Sequence, residues 1–212
     1  MDDQITGIRR VPRQARAQQR VEQILDSATQ LYLEHGYDET TTNAIAAHSG
    51  VPIGSLYQFF SNKEAILRAV VQRYCAGMLA LIDQALAGSD NETVDQLAGR
   101  LIDAMLLYGG ERFGVTRIVM QMPPHPHIAA EVSQLRQELI ARLTEILELR
   151  MPQRTAQQRH LTASVGLSAT LALLSQSIAE KHAGRLDLAF QMIGQVRFLL
   201  MAYVRAVAEQ TG

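Results

Sequence analysis

The sequence predicts an all-α protein, and three observations carry that prediction. Of its 212 residues 47% are apolar but only 5% aromatic, with no Trp, a composition that suits helix packing better than sheet. Apolar residues recur at the spacing of one helix face over long stretches, while runs of β-branched residues are scarce. The breaks between those stretches fall at Gly and Pro, which stop helices.

The first helix is expected from about Gln14 to His35, with Val21, Ile24, Leu25, Ala28, Leu31 and Tyr32 on one face and Gly36 as its stop. Thr40, Thr41 and Thr42 offer an N-cap to a short second helix in which Ile45 and Ala46 face inward and Ser49-Gly50 close the end. Val51-Pro52 opens a third short helix carrying Leu56, Phe59 and Phe60, with Pro tolerated in its first turn. Ser61-Asn62-Lys63-Glu64 reads as a capping box, Ser61 serving the Glu64 N–H and Glu64 reaching back. A long helix then runs over 62–87, sustained by Ile66, Leu67, Val70, Val71, Tyr74, Met78, Leu81, Ile82 and Leu86. Its length makes it the connector between two layers, dividing the chain into 1–62 and 63–212. Five further helices are expected at about 92–109, 111–121, 126–150, 156–182 and 186–209. Pro123, Pro124 and Pro126, then Pro152 and Gly184, supply the breaks, and Thr155 with Gln158 forms another capping box.

Net charge is only −1, so no global basic field marks a polyanionic partner. The distribution is uneven, however. From Gln4 to Val21 there is no acidic residue, whereas Arg9, Arg10, Arg13, Arg16 and Arg20 all fall there. That arm is either a solvated basic tail or a footprint for a phosphate backbone. Cys75 is the single cysteine, which rules out an intrachain disulfide; its apolar neighbours point to a buried inert thiol in a reducing compartment. The N-terminus shows no apolar signal core and no stretch reaches about 18 uninterrupted apolar residues. A cytoplasmic protein without membrane contact is expected.

Residues 41 to 60 have the layout of a DNA-reading helix-turn-helix: a short support helix, a turn at Gly50, and a second short helix with small or polar exposed positions. Leu56, Phe59 and Phe60 can bury one face of that second helix while Ile53, Gly54, Ser55 and Gln58 meet base edges. Thr41 and Thr42 at a helix N-terminus, the Tyr57 phenol and Lys63 are candidates for phosphate contact, with Arg9, Arg10 and Arg13 adding charge along the backbone or in the minor groove. The alternative makes each of these an ordinary surface residue around a small three-helix core.

At this point the sequence resembles the tetracycline repressor (TetR) family. The matching stretch is Gly36-Tyr37-Asp38-Glu39-Thr40-Thr41-Thr42-Asn43-Ala44-Ile45-Ala46, then Ser49-Gly50-Val51-Pro52-Ile53-Gly54-Ser55-Leu56-Tyr57-Gln58-Phe59-Phe60-Ser61-Asn62-Lys63-Glu64. By this resemblance Thr42, Tyr57 and Lys63 match the family's usual phosphate-contact positions, and Ile53, Gly54, Ser55 and Gln58 its base-facing ones. Pro52 departs from the pattern, since many members carry Ser or another small polar residue there. The specific likeness covers roughly residues 15 to 75, and the rest matches in architecture. It implies a regulator that binds double-stranded operator DNA as a homodimer, carries a small-molecule effector among its middle helices and dimerises through its last two. An activator or a ligand-insensitive regulator would share the same reading module, and an all-helical enzyme or interaction protein is the reading from another class.

The C-terminal helices carry two apolar stripes. One holds Val165, Gly166, Ala169, Ala172 and Leu173, the other Phe190, Ile193, Gly194, Leu200, Met201 and Val204. They serve either a four-helix dimer interface or the chain's own core. Met105, Tyr108, Phe113, Met120, Met122 and His125 are candidate ligand-binding residues, bringing soft apolar surface and polar tips around the proline break; plain core packing is the alternative. No cofactor or metal is expected: His125, His127, His160 and His182 lack ligand spacing. There is no Gly-x-Ser-x-Gly elbow, activated Cys or Gly-rich phosphate loop, so an enzyme is not expected.

Overall fold

The computed structural model describes residues 15–88, 92–120 and 125–209. Within them every regular element is helical: α1 (Ala15–His35), α2 (Thr42–Ser49), α3 (Ile53–Phe59), α4 (Lys63–Leu86), α5 (Val94–Glu111), α6 (Phe113–Val119), α7 (Ala129–Arg150), α8 (Ala156–His182) and α9 (Leu186–Glu209), with a 3-10 turn at Pro126–Ile128. The all-α expectation therefore holds.

Packing divides the described chain into two units. The first comprises residues up to Gly77 together with 113–132; the second comprises 78–112 and 133–209. Helices α4 and α7 each contribute to both.

In the first unit the predicted stripe of α1 is buried in full: Val21, Ile24, Leu25, Ala28, Leu31 and Tyr32. Ile45 and Ala46 of α2, Leu56 and Phe59 of α3, Phe60, and Ile66, Leu67, Val70 and Val71 of α4 are buried in the same unit, where α1 packs on α2 and α6 and α2 on α3. Burying each large side chain of this kind contributes roughly 1.5–3 kcal/mol, which is why helices as short as α2 and α3 hold their places. The Thr116 hydroxyl of α6 donates to the buried Tyr74 phenol of α4 at 3.1 Å, and Arg68 of α4 pairs with Glu131 of α7 at 3.2 Å.

The capping at two helix starts differs from expectation. The Ala65 N–H donates to Asn62 Oδ1 at 2.8 Å, so Asn62 caps α4 in place of Ser61, which stays exposed. Both residue types cap well; the extended backbone of Phe60 carries the chain one residue further before α4 begins. Pro52 likewise stands at the N-cap of α3, not inside it. The Thr155–Gln158 capping box forms as expected, and Thr93 with Gln96 forms one that starts α5.

In the second unit α8 packs along α9, and α5 packs on both. Gly166 lets the two approach, since a Cβ there would lie 3.3 Å from Leu200 Cδ1. Exposed ion pairs Arg205–Asp95 and Arg197–Asp103 join α9 to α5, and Arg142 of α7 holds Asp83 of α4 at 2.5 Å.

Lys63–Leu86 and Ala156–Lys181 are long and apolar enough to cross a bilayer by length and composition, yet 56% and 44% of their apolar windows are buried in the protein. They are core helices. Cys75 is buried, as its neighbours suggested.

Candidate nucleic-acid interface and ligand cavity

The α2–α3 corner is built by local chemistry. Thr41 caps α2, its Oγ1 accepting from the Ala44 N–H at 3.1 Å. Thr40 is buried, and its hydroxyl donates to the Gly36 carbonyl at 2.7 Å. Gly50 ends α2 with φ +67°, a conformation that L side chains rarely adopt, and the chain turns directly into α3. On α3, Leu56 and Phe59 point into the core. Ile53 and Tyr57, and beside them Gly54 and Gln58, are stacked one turn apart and exposed; Ser55 is half-buried. The helix thus splits into an inward apolar face and an outward face of small and polar groups.

Thr42 and Tyr57 meet at that surface, their hydroxyls 3.0 Å apart. Lys63 is engaged differently from expectation. Its Nζ donates to the carbonyls of Tyr37 and Asp38, each at 3.0 Å, and lies 4.4 Å from the centroid of the Tyr37 ring. Two of three ammonium donors therefore fasten the α1–α2 connection to the start of α4, leaving one for an outside acceptor. Tyr37 also meets Tyr32 and His125 edge-on, with centroids 5.6 and 4.9 Å away. Burial, with the Glu64 and Asp38 carboxylates nearby, pushes its phenol up to about 12. Burial raises Tyr32 as well. Both phenols therefore stay protonated at neutral pH, and the Lys63 contact with Tyr37 is a cation–π one. Arg16 and Arg20 are exposed on α1, while Arg9, Arg10 and Arg13 lie outside the described residues.

The ligand candidates are not gathered in one place. Met105 lines an apolar cavity of about 100 Å³ in the second unit. Tyr108 is not among its lining residues and instead stacks under the Arg112 guanidinium at 4.1 Å. Met120 and His125 belong to the first unit, where the His125 ring is committed to Tyr37 and, at 5.1 Å, to His127. Met122 and the side chain of Phe113 lie outside the described residues. The cavity wall is otherwise made of α5, α7, α8 and α9 aliphatics such as Leu101, Leu143, Leu167 and Leu200, with Ile82 of α4. Sequence reasoning missed these because a leucine lining a cavity has the same periodicity as one filling a core.

The dimer candidates also divide. Val165, Ala169, Ala172 and Phe190 are exposed, and Leu173, Ile193 and Met201 half-buried. Val204 is a correction: it is buried with Leu147, Met151 and Ala163 in the chain's own core. Leu161, Phe198 and Leu199 are exposed at 60%, 66% and 52% and extend the same two helices' outer faces. Helical spacing alone did not single them out.

Two family profiles match this chain. That for bacterial regulatory proteins of the tetR family covers residues 24–70, and that for the tetracyclin repressor-like C-terminal domain covers residues 93–203, more than half the sequence. The chain belongs to the TetR family. TetR proteins are DNA-binding transcriptional regulators and not enzymes, and this chain is one of them. It is 26% identical to the HTH-type transcriptional regulator UidR of Escherichia coli over 146 residues, 69% of this chain and 70% of that one. The structure of FadR from Bacillus subtilis, in complex with stearoyl-CoA, shares the fold at a TM-score of 0.68 and 16% identity, covering 84% of this chain and 96% of that one. The SmeT–triclosan complex does so at 0.61 and 20%, covering 82% and 90%.

Proposed function

We propose that this TetR protein is a repressor that holds a palindromic operator as a homodimer and lets go when a small apolar molecule fills the cavity of its second unit. The observation that carries the reading is the α3 surface, on which Ile53, Gly54, Tyr57 and Gln58 are exposed although the same helix buries Leu56 and Phe59. A helix so divided suits a major groove, with Gln58 pairing to an adenine edge and Thr42, Tyr57 and Lys63 fixing register on phosphates. The outer faces of α8 and α9 supply the dimer contact, setting the two reading heads roughly one helical turn apart.

Release follows from helix continuity. Helix α4 starts at Lys63 and carries Ile82 into the cavity wall, and α7 carries Glu131 in the first unit and Leu143 in the second. A ligand that shifts either helix at the cavity moves residues that belong to the DNA-reading unit. FadR with stearoyl-CoA and SmeT with triclosan are relatives in fold whose structures hold small molecules. Weakening operator binding 10- to 100-fold takes about 1.4–2.8 kcal/mol of differential affinity.

The test is gel-shift binding to the DNA upstream of the protein's own coding region. Gln58→Ala is expected to cost on the order of 1–3 kcal/mol and to relax preference at one base pair per half-site. Unaltered preference at every operator position would remove Gln58 from the reading surface.

A further inference from the structure

We infer that Ile53 is a specificity-determining residue: it packs on the C5-methyl of a thymine in each operator half-site, at a different base pair from the one Gln58 reads. The inference rests on the operator reading above and specifies what α3 recognises.

Helix α3 runs Ile53-Gly54-Ser55-Leu56-Tyr57-Gln58-Phe59, without a charged residue. That chemistry limits what it reads. In the major groove guanine is fixed most often by Arg or Lys, and cytosine by Asp or Glu; α3 offers neither kind. Leu56 and Phe59 are buried, and the Tyr57 hydroxyl lies 3.0 Å from that of Thr42 on the neighbouring helix. Gln58 carries the paired donor and acceptor that suit an adenine edge. What remains on the outward face is Ile53, 38% exposed, with Pro52 exposed beside it.

An aliphatic side chain has no hydrogen bond to give a phosphate or a base edge. The apolar group on the major-groove edges is the thymine C5-methyl. An exposed Ile on a helix laid in that groove therefore gains at thymine, by removing methyl surface from water. Gly54 lets it reach. A Cβ on Gly54 would meet nothing within 4 Å, so beside Ile53 the helix presents bare backbone and open space, and a short branched side chain can touch a base edge. Along the helix axis Ile53 and Gln58 are about 7.5 Å apart at 1.5 Å per residue, roughly two base-pair steps. The two side chains thus address separate base pairs.

The probe is the tightest duplex that the full-length wild type selects from a random-sequence pool, followed by gel shift. Each of its thymines is replaced in turn by deoxyuracil, which removes the C5-methyl and leaves the hydrogen-bonding edge intact. One thymine per half-site is expected to lose about fourfold on demethylation, the worth of one buried methyl, and about fifteenfold when both half-sites are changed. Ile53→Ala is expected to bind the thymine and uracil duplexes within about twofold of each other, with its thermal transition and salt dependence as in the wild type. A 5-methylcytosine–guanine pair at the same step restores the methyl on another base, and should bind about fourfold tighter than unmethylated cytosine–guanine there.

Absence of any uracil-sensitive thymine in the wild type overturns the inference without a variant. A thymine that stays equally uracil-sensitive in Ile53→Ala assigns the methyl to another residue and overturns it as well, as does indifference to cytosine methylation at that step. These results leave the operator reading standing. Failure of the wild type to select any duplex removes that reading itself, and this inference with it.

Discussion

Gly54 sits inside α3, where glycine costs about 1 kcal/mol relative to alanine, and yet a Cβ there would meet nothing within 4 Å. Nothing inside the chain requires its bare backbone; under the proposed operator reading the requirement is a DNA surface that approaches closely. Gly54→Ala should accordingly raise thermal stability by up to about 1 kcal/mol while weakening operator binding; a variant that is more stable and binds equally well would show that the approach is not close. Lys63 teaches a different lesson. Its charge and its place after α3 were legible in the sequence, but its hydrogen bonds reach back to Tyr37 and Asp38, and no local pattern announces partners some 25 residues away. The Thr42–Tyr57 contact is of the same kind: each residue was a separate candidate, and the fold pairs them.

Helix starts were legible to within about three residues because capping chemistry is local, the largest gap being α7, which begins at Ala129 behind a 3-10 turn at Pro126–Ile128. The exception at α4 shows the limit: Ser61 with Glu64 fits a capping box, but Asn62 makes the bond. Asn62→Ala should therefore cost about 1 kcal/mol and Ser61→Ala close to nothing, as read from urea unfolding midpoints; the opposite order would restore the box. A second element-level tie is the Asp83–Arg142 pair between the end of α4 and the middle of α7. The hydrogen-bonded guanidinium holds the Asp83 carboxyl below its usual range. A carboxyl depressed in the folded state stabilises it above the unfolded value, near 3.9, and loses that contribution as pH falls through its folded value. Asp83 is 53% exposed, so solvent screening keeps the effect small. Asp83→Asn should lower the melting temperature slightly at pH 7 and progressively less as pH falls through the lowered folded value; an equal loss at every pH would assign the effect to packing.

At the scale of the whole molecule, the outer face of α9 repeats Phe190, Gly194 and Phe198 every fourth residue, and α8 repeats Leu161, Val165 and Ala169. Phe190 and Phe198 are 68% and 66% exposed. This exposed apolar surface is the one the proposed homodimer would bury, two helices from each of two copies then making a four-helix interface. Phe198→Glu should leave the monomer folded, because the ring contributes little to its own core, and should give monomers that bind operator poorly. Sedimentation of the wild type as a monomer at micromolar concentration would contradict the assignment.

Sequence by itself determined the class, the order and near-ends of the helices, the helix-turn-helix and the outward residues of α3. Those signals act over a few residues: period, caps, Gly and Pro. Tertiary structure decided what each apolar stripe faces. Val204 and Phe198 have the same helical credentials, yet one is buried in the core and the other in water. It also decided that residues 113–132 join the first unit and that leucines wall the cavity where Met120, Tyr108 and His125 had been expected. The physical reason is that burial is non-directional and depends on neighbours far along the chain, so a periodic pattern fixes which face is apolar without fixing what covers it.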